Sequence, residues 1–381
     1  MYKIAVIPGD GVGPEVVNEG IKVLDALVEP YSMDFDFTYY PNGAEHYLKT
    51  GETLSREQLD EMEEMSAIYF GAIGDPRVKP GILEKGVLLR IRSHFDQYVN
   101  LRPIISFPGL ICPLRDKTFE DVQFYVVREN TEDFYVGLGA RTDKKKDEHK
   151  LRFKKYNIKF DIEIELDDEK EIAYQIGLIS REGAERIIRY AFELAKKKNR
   201  KKVTSIDKAN VMSDIYGLWR EVFDEIASEK ENSGISTERQ FVDNAAMQFV
   251  KDPKQYEVIV VPNMFGDILT DLGASIQGSI GIASGGNINP DGISMFEPIH
   301  GSAPDIAGKG IANPLGAILA AGMMLEELNE CKASNAIQRA IKNVLFEGKV
   351  RTPDLGGRAS TGGMGDAIIK ELMKDDEDRD I

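Results

Sequence analysis

Cysteine is scarce in this chain, with two residues in 381. Cys112 and Cys331 have no CxxC spacing and no histidine close by in sequence. That argues against a zinc site and predicts two buried thiols in a reducing compartment. Long apolar runs are missing too. None approaches the ~20 residues a bilayer crossing needs, so no membrane partner is expected. The start MYKIAVIPGDG lacks the basic residues and long apolar core of a secretory signal, and a cytoplasmic location is the expectation. Positive charge is in deficit: 48 Lys and Arg stand against 64 Asp and Glu, a net of −16. That field repels nucleic acid and anionic membrane alike, so neither is an expected partner. Any site for an anionic ligand must gather its own cations.

Internal repeats and low-complexity linkers are absent as well. What remains is an ordinary globular composition, 42% apolar and 29% charged, long enough for two or three domains. Apolar runs at residues 3–7, 67–71, 123–127, 203–206 and 258–261 read as buried strands. Between them lie segments of helical period. Pro14 can start one helix, whose stripe is Val16, Val17, Leu24, Leu27 and Val28. Ser55 and Gln58 form a capping box for another. Ser180 can cap a third, running to the basic end at 196–198, where positive charge suits a helix C-terminus. Strands alternating with helices predict an α/β architecture. The turn Gly9-Asp-Gly11-Val-Gly13 spells GxGxG rather than GxGxxG, with no acidic partner ~20 residues on, and reads as a tight strand–helix turn. The tail from 374 to 381 is charged and is expected to fray.

Residues 141–172 are unusually charged. Within them Ile158, Phe160, Ile162, Ile164 and Leu166 alternate with charged residues, the period of a strand with one greasy face. A protruding β-arm that covers this face with a partner chain is one reading, and an ordinary edge hairpin is the other. The basic run 196–202 reads as a solvated helix end in so acidic a protein.

Several polar residues fall where chemistry is done. Asp267 and Asp271, in NMFGDILTD after the strand at 258–261, are four apart and would share one helix face. Two carboxylates so close repel unless a cation lies between them, and oxygen ligands suit Mg²⁺ or Mn²⁺; a solvated acidic helix start is the plainer alternative. Asp243, at the end of a strand, is a candidate third ligand or a turn residue. Arg90, Arg92, Arg102 and Arg128 cluster along the sequence. Several guanidinium groups imply a substrate with more than one carboxylate, unless each serves a surface ion pair. Lys208 follows another buried strand; among cations its pKa would be lowered, which suits a general base. Tyr135 is a candidate acid. The segment 297–314, dense in Gly and Pro, reads as a ligand-wrapping loop rather than a helix or strand, and an acid there would accept from a ribose and repel a 2′-phosphate.

In order along nearly the whole chain, IPGDGVGPE, AIYFGAIG, NLRP, VRENTE, DKAN, NMFGDILTD and EPIHGSAPDIAGKGIANP resemble the isocitrate and 3-isopropylmalate dehydrogenase family, the metal-dependent β-decarboxylating dehydrogenases. The last two motifs are the most specific. The resemblance implies a two-domain α/β fold with a parallel or mixed sheet flanked by helices and a protruding β-arm. The larger, cofactor-binding domain would be 1–99 plus 279–381. The smaller, dimerisation and metal/substrate domain would be 100–278, with the arm at about 141–179. It further implies Leu88, Arg92, Arg102, Arg128 and Asn210 as substrate contacts, and Asp243, Asp267 and Asp271 as ligands of Mg²⁺ or Mn²⁺. Lys208 would be the general base and Tyr135 the general acid. Glu297, His300, Gly301, Asp305, Ile306 and Asn313 would bind the cofactor, Asp305 pointing to NAD over NADP.

The family is a homodimer with shared active sites, so Lys208 and Asp243 would come from the neighbouring chain. Leu88 disfavours isocitrate. AIYFGAIGDP and FDQYVNLRP look most like the D-malate and tartrate dehydrogenase branch, whereas DKAN and the leucine pair suit 3-isopropylmalate. The expected activity is therefore NAD-dependent oxidative decarboxylation of a (2R)-hydroxy dicarboxylic acid, D-malate or tartrate first. 3-Isopropylmalate and then homoisocitrate or isocitrate follow. A non-catalytic regulatory subunit is the contrasting class, and intact Lys208, Tyr135 and aspartates weigh against it.

Overall fold

The computed structural model describes residues 1–153, 155–167 and 170–377. Residues 154, 168 and 169 of the expected arm and 378–381 of the expected frayed tail lie outside the described residues. Among these residues the strands are β1 (Tyr2–Gly9), β2 (Phe35–Tyr39), β3 (Ala67–Ala72), β4 (Val99–Ile105), β5 (Gln123–Glu129), β6 (Asp133–Thr142) and β7 (Lys146–Phe153). Then come β8 (Ile158–Glu165), β9 (Ile172–Leu178), β10 (Lys202–Asp207), β11 (Ser236–Phe241), β12 (Val258–Val261), β13 (Ser284–Ile288) and β14 (Met295–Pro298). Ten of them form one sheet in the order β11-β10-β12-β5-β4-β13-β14-β3-β1-β2. Both outer parts are parallel, and the middle, β5-β4-β13-β14, is antiparallel. The α/β expectation holds, with the mixed sheet its motifs imply.

Helices cover the sheet because their apolar residues recur at helical spacing. Gly13–Ala26 starts at Pro14, as its sequence requires, and buries Val16, Val17 and Leu24. Arg56–Met62 begins with the Ser55–Gln58 capping box. Ser180 accepts from Gly183 N–H at the start of Arg181–Lys197. Helix Leu315–Glu327 is apolar nearly all round, and Gly13–Ala26 and Cys331–Glu347 pack against it. Trp219, on Ser213–Ala227, is fully buried, and its indole N–H donates to Ser205 Oγ at 2.9 Å, so no polar group is left unpaired. The cysteines depart from expectation. Cys112 is half-buried and Cys331 exposed, both as free thiols, because Cys112 lies in the loop between β4 and β5 at the edge of the core and Cys331 opens helix Cys331–Glu347.

The charged insertion forms two small antiparallel ladders, β6 with β9 and β7 with β8. Along β7 and β8 exposed and half-buried residues alternate, so the greasy face predicted for 158–166 is present and only partly covered within one chain.

Where β5 runs out, two acids are buried together. Glu129 accepts from the N–H groups of Thr131 and Glu132, and Glu132 accepts from the Tyr156 hydroxyl and from Ser180 N–H. Burial, then the charge of Glu132, lifts the Glu129 carboxyl to about 7. An unfolded glutamate titrates at about 4.3, so the folded state holds the extra proton between these values. The stabilisation is full below about pH 4 and is lost as pH rises through 7. Thermal melts from pH 4 to 8 should decline over that window, and Glu129→Gln should flatten the decline; an unchanged slope would refute the assignment.

Candidate active site

The site is built on the antiparallel seam. Period two along β4 sends Asn100 and Arg102 to one face. Arg102 donates through Nε to Asn100 Oδ1 at 2.8 Å and through Nη1 to Thr270 Oγ1 at 3.2 Å. Arg128, near the carboxyl end of β5, donates from Nε and Nη2 to Asn263 Oδ1 at 2.9 and 2.7 Å, and from Nη1 to Asp267. Gly266 makes this possible: a Cβ there would come within 2.5 Å of the Arg128 stem. Arg92, on the short helix Leu89–His94, donates to Glu297 Oε1 at 3.0 Å, and its Nε is buried with no partner. A chain of amides joins these groups: Asn100 donates to Asn287 at 2.8 Å, and Asn287 donates to Glu297 at 2.7 Å.

All three guanidinium groups line one cavity of about 340 Å³, with exposures of 8% for Arg92, 7% for Arg102 and 1% for Arg128. Burying cations together is costly unless anions meet them. Burial, then Arg128, brings Arg102 down to about 10, and burial likewise lowers Arg128. Glu297 and Asp267 accept hydrogen bonds from these cations, Asp271 lies 3.8 Å from Arg102, and Glu84 also lines the cavity. Burial alone would lift Asp267, but Arg128, the Tyr135 hydroxyl and Arg102 hold it below the usual carboxylate range. The three buried guanidinium groups gather positive charge on one part of the lining, where an anionic guest can meet them. Tyr135 projects from β6 into the same space and donates to Asp267 Oδ2 at 2.6 Å. Burial and that hydrogen bond push its hydroxyl up to about 12, so it stays protonated at neutral pH.

The wall facing the arginines is different in character. Ile73, Leu88, Leu89 and Ile299 supply apolar surface, with Glu84 the acid beside them. Glu84–Leu88 is a π-helical turn leading into Leu89–His94, a local widening common near functional sites.

Of the residues singled out from sequence, Leu88, Arg92, Arg102, Arg128, Tyr135, Asp267, Glu297, His300 and Gly301 line this cavity. Arg90 does not; it turns away to the carbonyl of Leu54. Asp271 sits one turn beyond Asp267 on helix Asn263–Ile276, with 66% of its side chain exposed, 3.8 Å from Arg102. Lys208 and Asp243 pair with each other at 2.6 Å and do not line the cavity of their own chain. Asp243 lies in the first turn of helix Val242–Lys251 rather than at a strand end, because β11 stops one residue earlier than the apolar pattern suggests. Asn210 is in the exposed turn after β10. The predicted loop begins later than expected. Glu297 belongs to β14, where Arg92 and Asn287 hold it, so it braces Arg92.

The loop from His300 onward has features that fit a nucleotide. His300 Nε2 is buried without a partner, and burial keeps the imidazole neutral. Gly301, Gly308 and Gly310 have open space where a Cβ would stand. Asp305 is exposed and Ile306 half-buried. Asn313 is spent inside the fold, donating to Asp354 at 2.9 Å and accepting from Leu315 N–H at 3.0 Å. The first glycines serve this loop and not a phosphate. A Cβ on Gly11 would strike the Ser302 carbonyl at 1.9 Å, and Val12 N–H donates to that carbonyl at 2.8 Å. The hard, all-oxygen set Asp243, Asp267 and Asp271 suits Mg²⁺ or Mn²⁺. Among the described residues of one chain these three do not converge; the only acid–histidine cluster close enough for an ion is Asp60, Glu63 and His94 on the surface.

Sequence reasoning missed Asn263, Asn100, Thr270, Asn287 and Glu84. The first could have been found by asking what satisfies the five donors of a buried arginine; Asn263 stands in the most specific motif.

Residues 3–368 match the isocitrate/isopropylmalate dehydrogenase family, to which this chain belongs. It is an enzyme of the decarboxylating dehydrogenase class. Its relatives include a 3-isopropylmalate dehydrogenase of Thermobifida fusca, 42% identical over 374 residues and 98% of both chains. They also include the decarboxylating D-malate dehydrogenase of Escherichia coli, 40% identical over 98% of this chain and 99% of its own. Isocitrate dehydrogenase from Methylococcus capsulatus superposes with a TM-score of 0.82 at 36% identity, covering 98% of this chain and 99% of its own.

Arg102 is buried and hydrogen-bonded only to the neutral groups of Asn100 and Thr270, with Asp271 3.8 Å away. Arg102→Gln should raise KM for the hydroxy acid roughly 10²-fold, as loss of a charge-assisted contact of about 3 kcal/mol implies. KM for the nicotinamide cofactor should move less than threefold. Initial-rate kinetics in both substrates check this, and an unchanged hydroxy-acid KM would remove Arg102 from the clamp.

Proposed function

We propose that this enzyme performs NAD-dependent oxidative decarboxylation of a (2R)-hydroxy dicarboxylic acid, with D-malate or tartrate the favoured substrate. One observation carries the reading: three buried arginines face a wall that offers no further cation, only leucine, isoleucine and Glu84. Two carboxylates match the arginines. A third, as in isocitrate or homoisocitrate, would be buried beside Glu84 without a partner, at a large desolvation cost. Glu84 can accept from a second hydroxyl, which suits tartrate. The leucine pair favours a second reading, 3-isopropylmalate, whose alkyl group it could pack. Relatives of both kinds, at 42% and 40% identity, support the pair of readings, and most of the similar relatives are named 3-isopropylmalate dehydrogenases.

In this reading Arg92, Arg102 and Arg128 hold the carboxylates and fix the C2 hydrogen toward the cofactor. Asp243, Asp267 and Asp271 hold Mg²⁺ or Mn²⁺, and His300, Gly301, Asp305 and Ile306 border the NAD. When bound, the metal supplies Lewis-acid stabilisation of oxygen charge and NAD accepts the hydride. Lys208 takes the proton of the C2 hydroxyl. After CO₂ leaves, the Tyr135 hydroxyl delivers a proton to the carbon that bore it. The division of the chain into 1–99 plus 279–381 and 100–278 belongs to the same reading: strands of the two parts meet only where β4 pairs with β13.

A homodimer with shared sites completes it. Lys208 and Asp243 stay outside the cavity of their own chain, and exposed aliphatic residues surround the motifs that must meet. Val211 is 73%, Met247 61% and Ile268 63% exposed, close in sequence to Lys208, Asp243 and Asp267. These are the surfaces a second copy would cover.

Two experiments test the proposal. A kcat/KM panel with Mn²⁺ should rank D-malate and tartrate first, 3-isopropylmalate next and isocitrate at least 10²-fold below, each better with NAD⁺ than with NADP⁺ (order of magnitude roughly that of an unpaired buried charge). Isocitrate as the best substrate would overturn the reading of the wall. For the shared site, inactive Asp267→Asn and Lys208→Met proteins are unfolded together and refolded as a mixture. If each site draws on both chains, about one quarter of sites regain every native group and turnover returns. No recovery, with heterodimers demonstrably present, would exclude sharing.

A further inference from the structure

β6 opens on a residue in a backbone conformation that side chains resist. Asp133 has φ +63°, in the left-handed region, and is fully buried. Glycine would be unstrained here; aspartate is among the residues that tolerate the position. What aspartate adds is a carboxylate. Its Oδ2 accepts from the N–H of Met264 at 2.9 Å, and its Oδ1 accepts from the Tyr216 hydroxyl at 3.0 Å. Met264 is the second residue of Asn263–Ile276, a helix preceded by Pro262, which provides no side-chain cap. The opening N–H groups of a helix need partners from elsewhere. Asp133 supplies one from a different strand. Its neighbour adds another tie: the Glu132 carbonyl accepts from Asn263 Nδ2 at 3.3 Å.

Both sides of this clamp carry site residues. The helix bears Asn263, which holds Arg128, and Asp267. β6 bears Tyr135 two residues on, and the Tyr135 hydroxyl reaches Asp267 at 2.6 Å. Because the left-handed turn at 133 breaks the alternation of the strand, Asp133 points inward to the helix start while Tyr135 points into the cavity.

We propose that Asp133 is a positioning residue of the reaction, whose carboxylate clamps the first turn of the Asp267 helix to the start of β6 and so sets the Tyr135 hydroxyl in register. This rests on the reading of Tyr135 as the group that protonates carbon after CO₂ leaves. Displacing that hydroxyl slows a step that follows hydride transfer. That later step then takes a larger share of the turnover time, and the C2 deuterium isotope effect on kcat falls below its value in the unaltered enzyme.

The test compares Asp133→Gly, which removes the carboxylate and relaxes the backbone, with Asp133→Asn, which keeps an acceptor oxygen and tolerates the left-handed conformation. Each is assayed as Mn²⁺-loaded full-length enzyme, scaled to folded protein, with ordinary and C2-deuterated D-malate, or 3-isopropylmalate if that is the better substrate. Tyr135→Phe runs alongside. Asp133→Gly should lose roughly 10-fold or more in kcat, as sub-ångström misplacement of a reacting group allows, with KM for NAD⁺ within about twofold. Its isotope effect should fall toward unity as in Tyr135→Phe, and Asp133→Asn should restore most of both. If Tyr135→Phe suppresses the isotope effect but Asp133→Gly leaves it intact, whatever happens to kcat, Asp133 only stabilises the fold and the proposal is wrong. If Tyr135→Phe itself leaves the isotope effect untouched, the role given to Tyr135 fails and the proposal falls with it. Should Asp133→Gly not fold, Asp133→Ser, whose hydroxyl is too short to span to both partners, is read the same way.

Discussion

Three guanidinium groups held out of water in one cavity are the constraint around which this structure is arranged. An acidic protein of net charge −16 concentrates positive charge there, and only part of it is answered from within. Arg128 donates three hydrogen bonds to Asn263 and Asp267, Arg102 donates to Asn100 and Thr270, and Arg92 donates to Glu297. The amide relay through Asn100 and Asn287 links these supports across β4, β13 and β14. Neutral amides can orient a cation without cancelling it. The guanidinium groups are thereby held in place before a ligand arrives, which lowers the reorganisation that binding an anion requires.

The seam that carries this relay is also where the sheet changes from parallel to antiparallel. A parallel sheet brings the carboxyl ends of its strands to one edge, and ligands gather beyond them. Here β4 runs against β5, with Asn100 opposite Arg128 and Arg102 two residues further along, so arginines from both strands reach one cavity. The glycines fit the same account. Gly266 yields its side-chain volume to Arg128, and Gly11 yields its own to the Ser302 carbonyl, so the first turn of the chain and the loop that follows His300 are locked together.

Local pattern made much of this visible beforehand. The strand at 258–261, the helix carrying Asp267 and Asp271, the Pro14 start, and the caps at Ser55 and Ser180 depend on residues within a few positions of one another, and sequence reports such dependence directly. Other features depend on partners distant in the chain. Glu297 reads as a loop residue until Arg92, 205 positions away, is found beside it. The π turn at Glu84–Leu88 leaves no mark in apolar spacing, and nothing near Asp133 in sequence announces a left-handed backbone. Cys331 was expected inside on residue type alone, yet helix phase and position put it at an exposed helix start.

The placement of Lys208 follows from the same electrostatics. A lysine inside the cavity would add a fourth cation beside three buried guanidinium groups, and burial would oppose its charge further. In the single chain it rests instead against Asp243, an exposed pair of the kind that contributes little to stability. Such a pair is readily exchanged for new partners when a second surface arrives. The aliphatic side chains of Val211, Met247 and Ile268 provide a reason for that surface to arrive, since removing them from water is favourable in proportion to the area covered. Keeping Lys208 and Asp243 outside the chain's own cavity lets the single chain fold without burying a mismatched charge, and in the proposed reading the costly contact is made only when substrate, metal and neighbour satisfy it together.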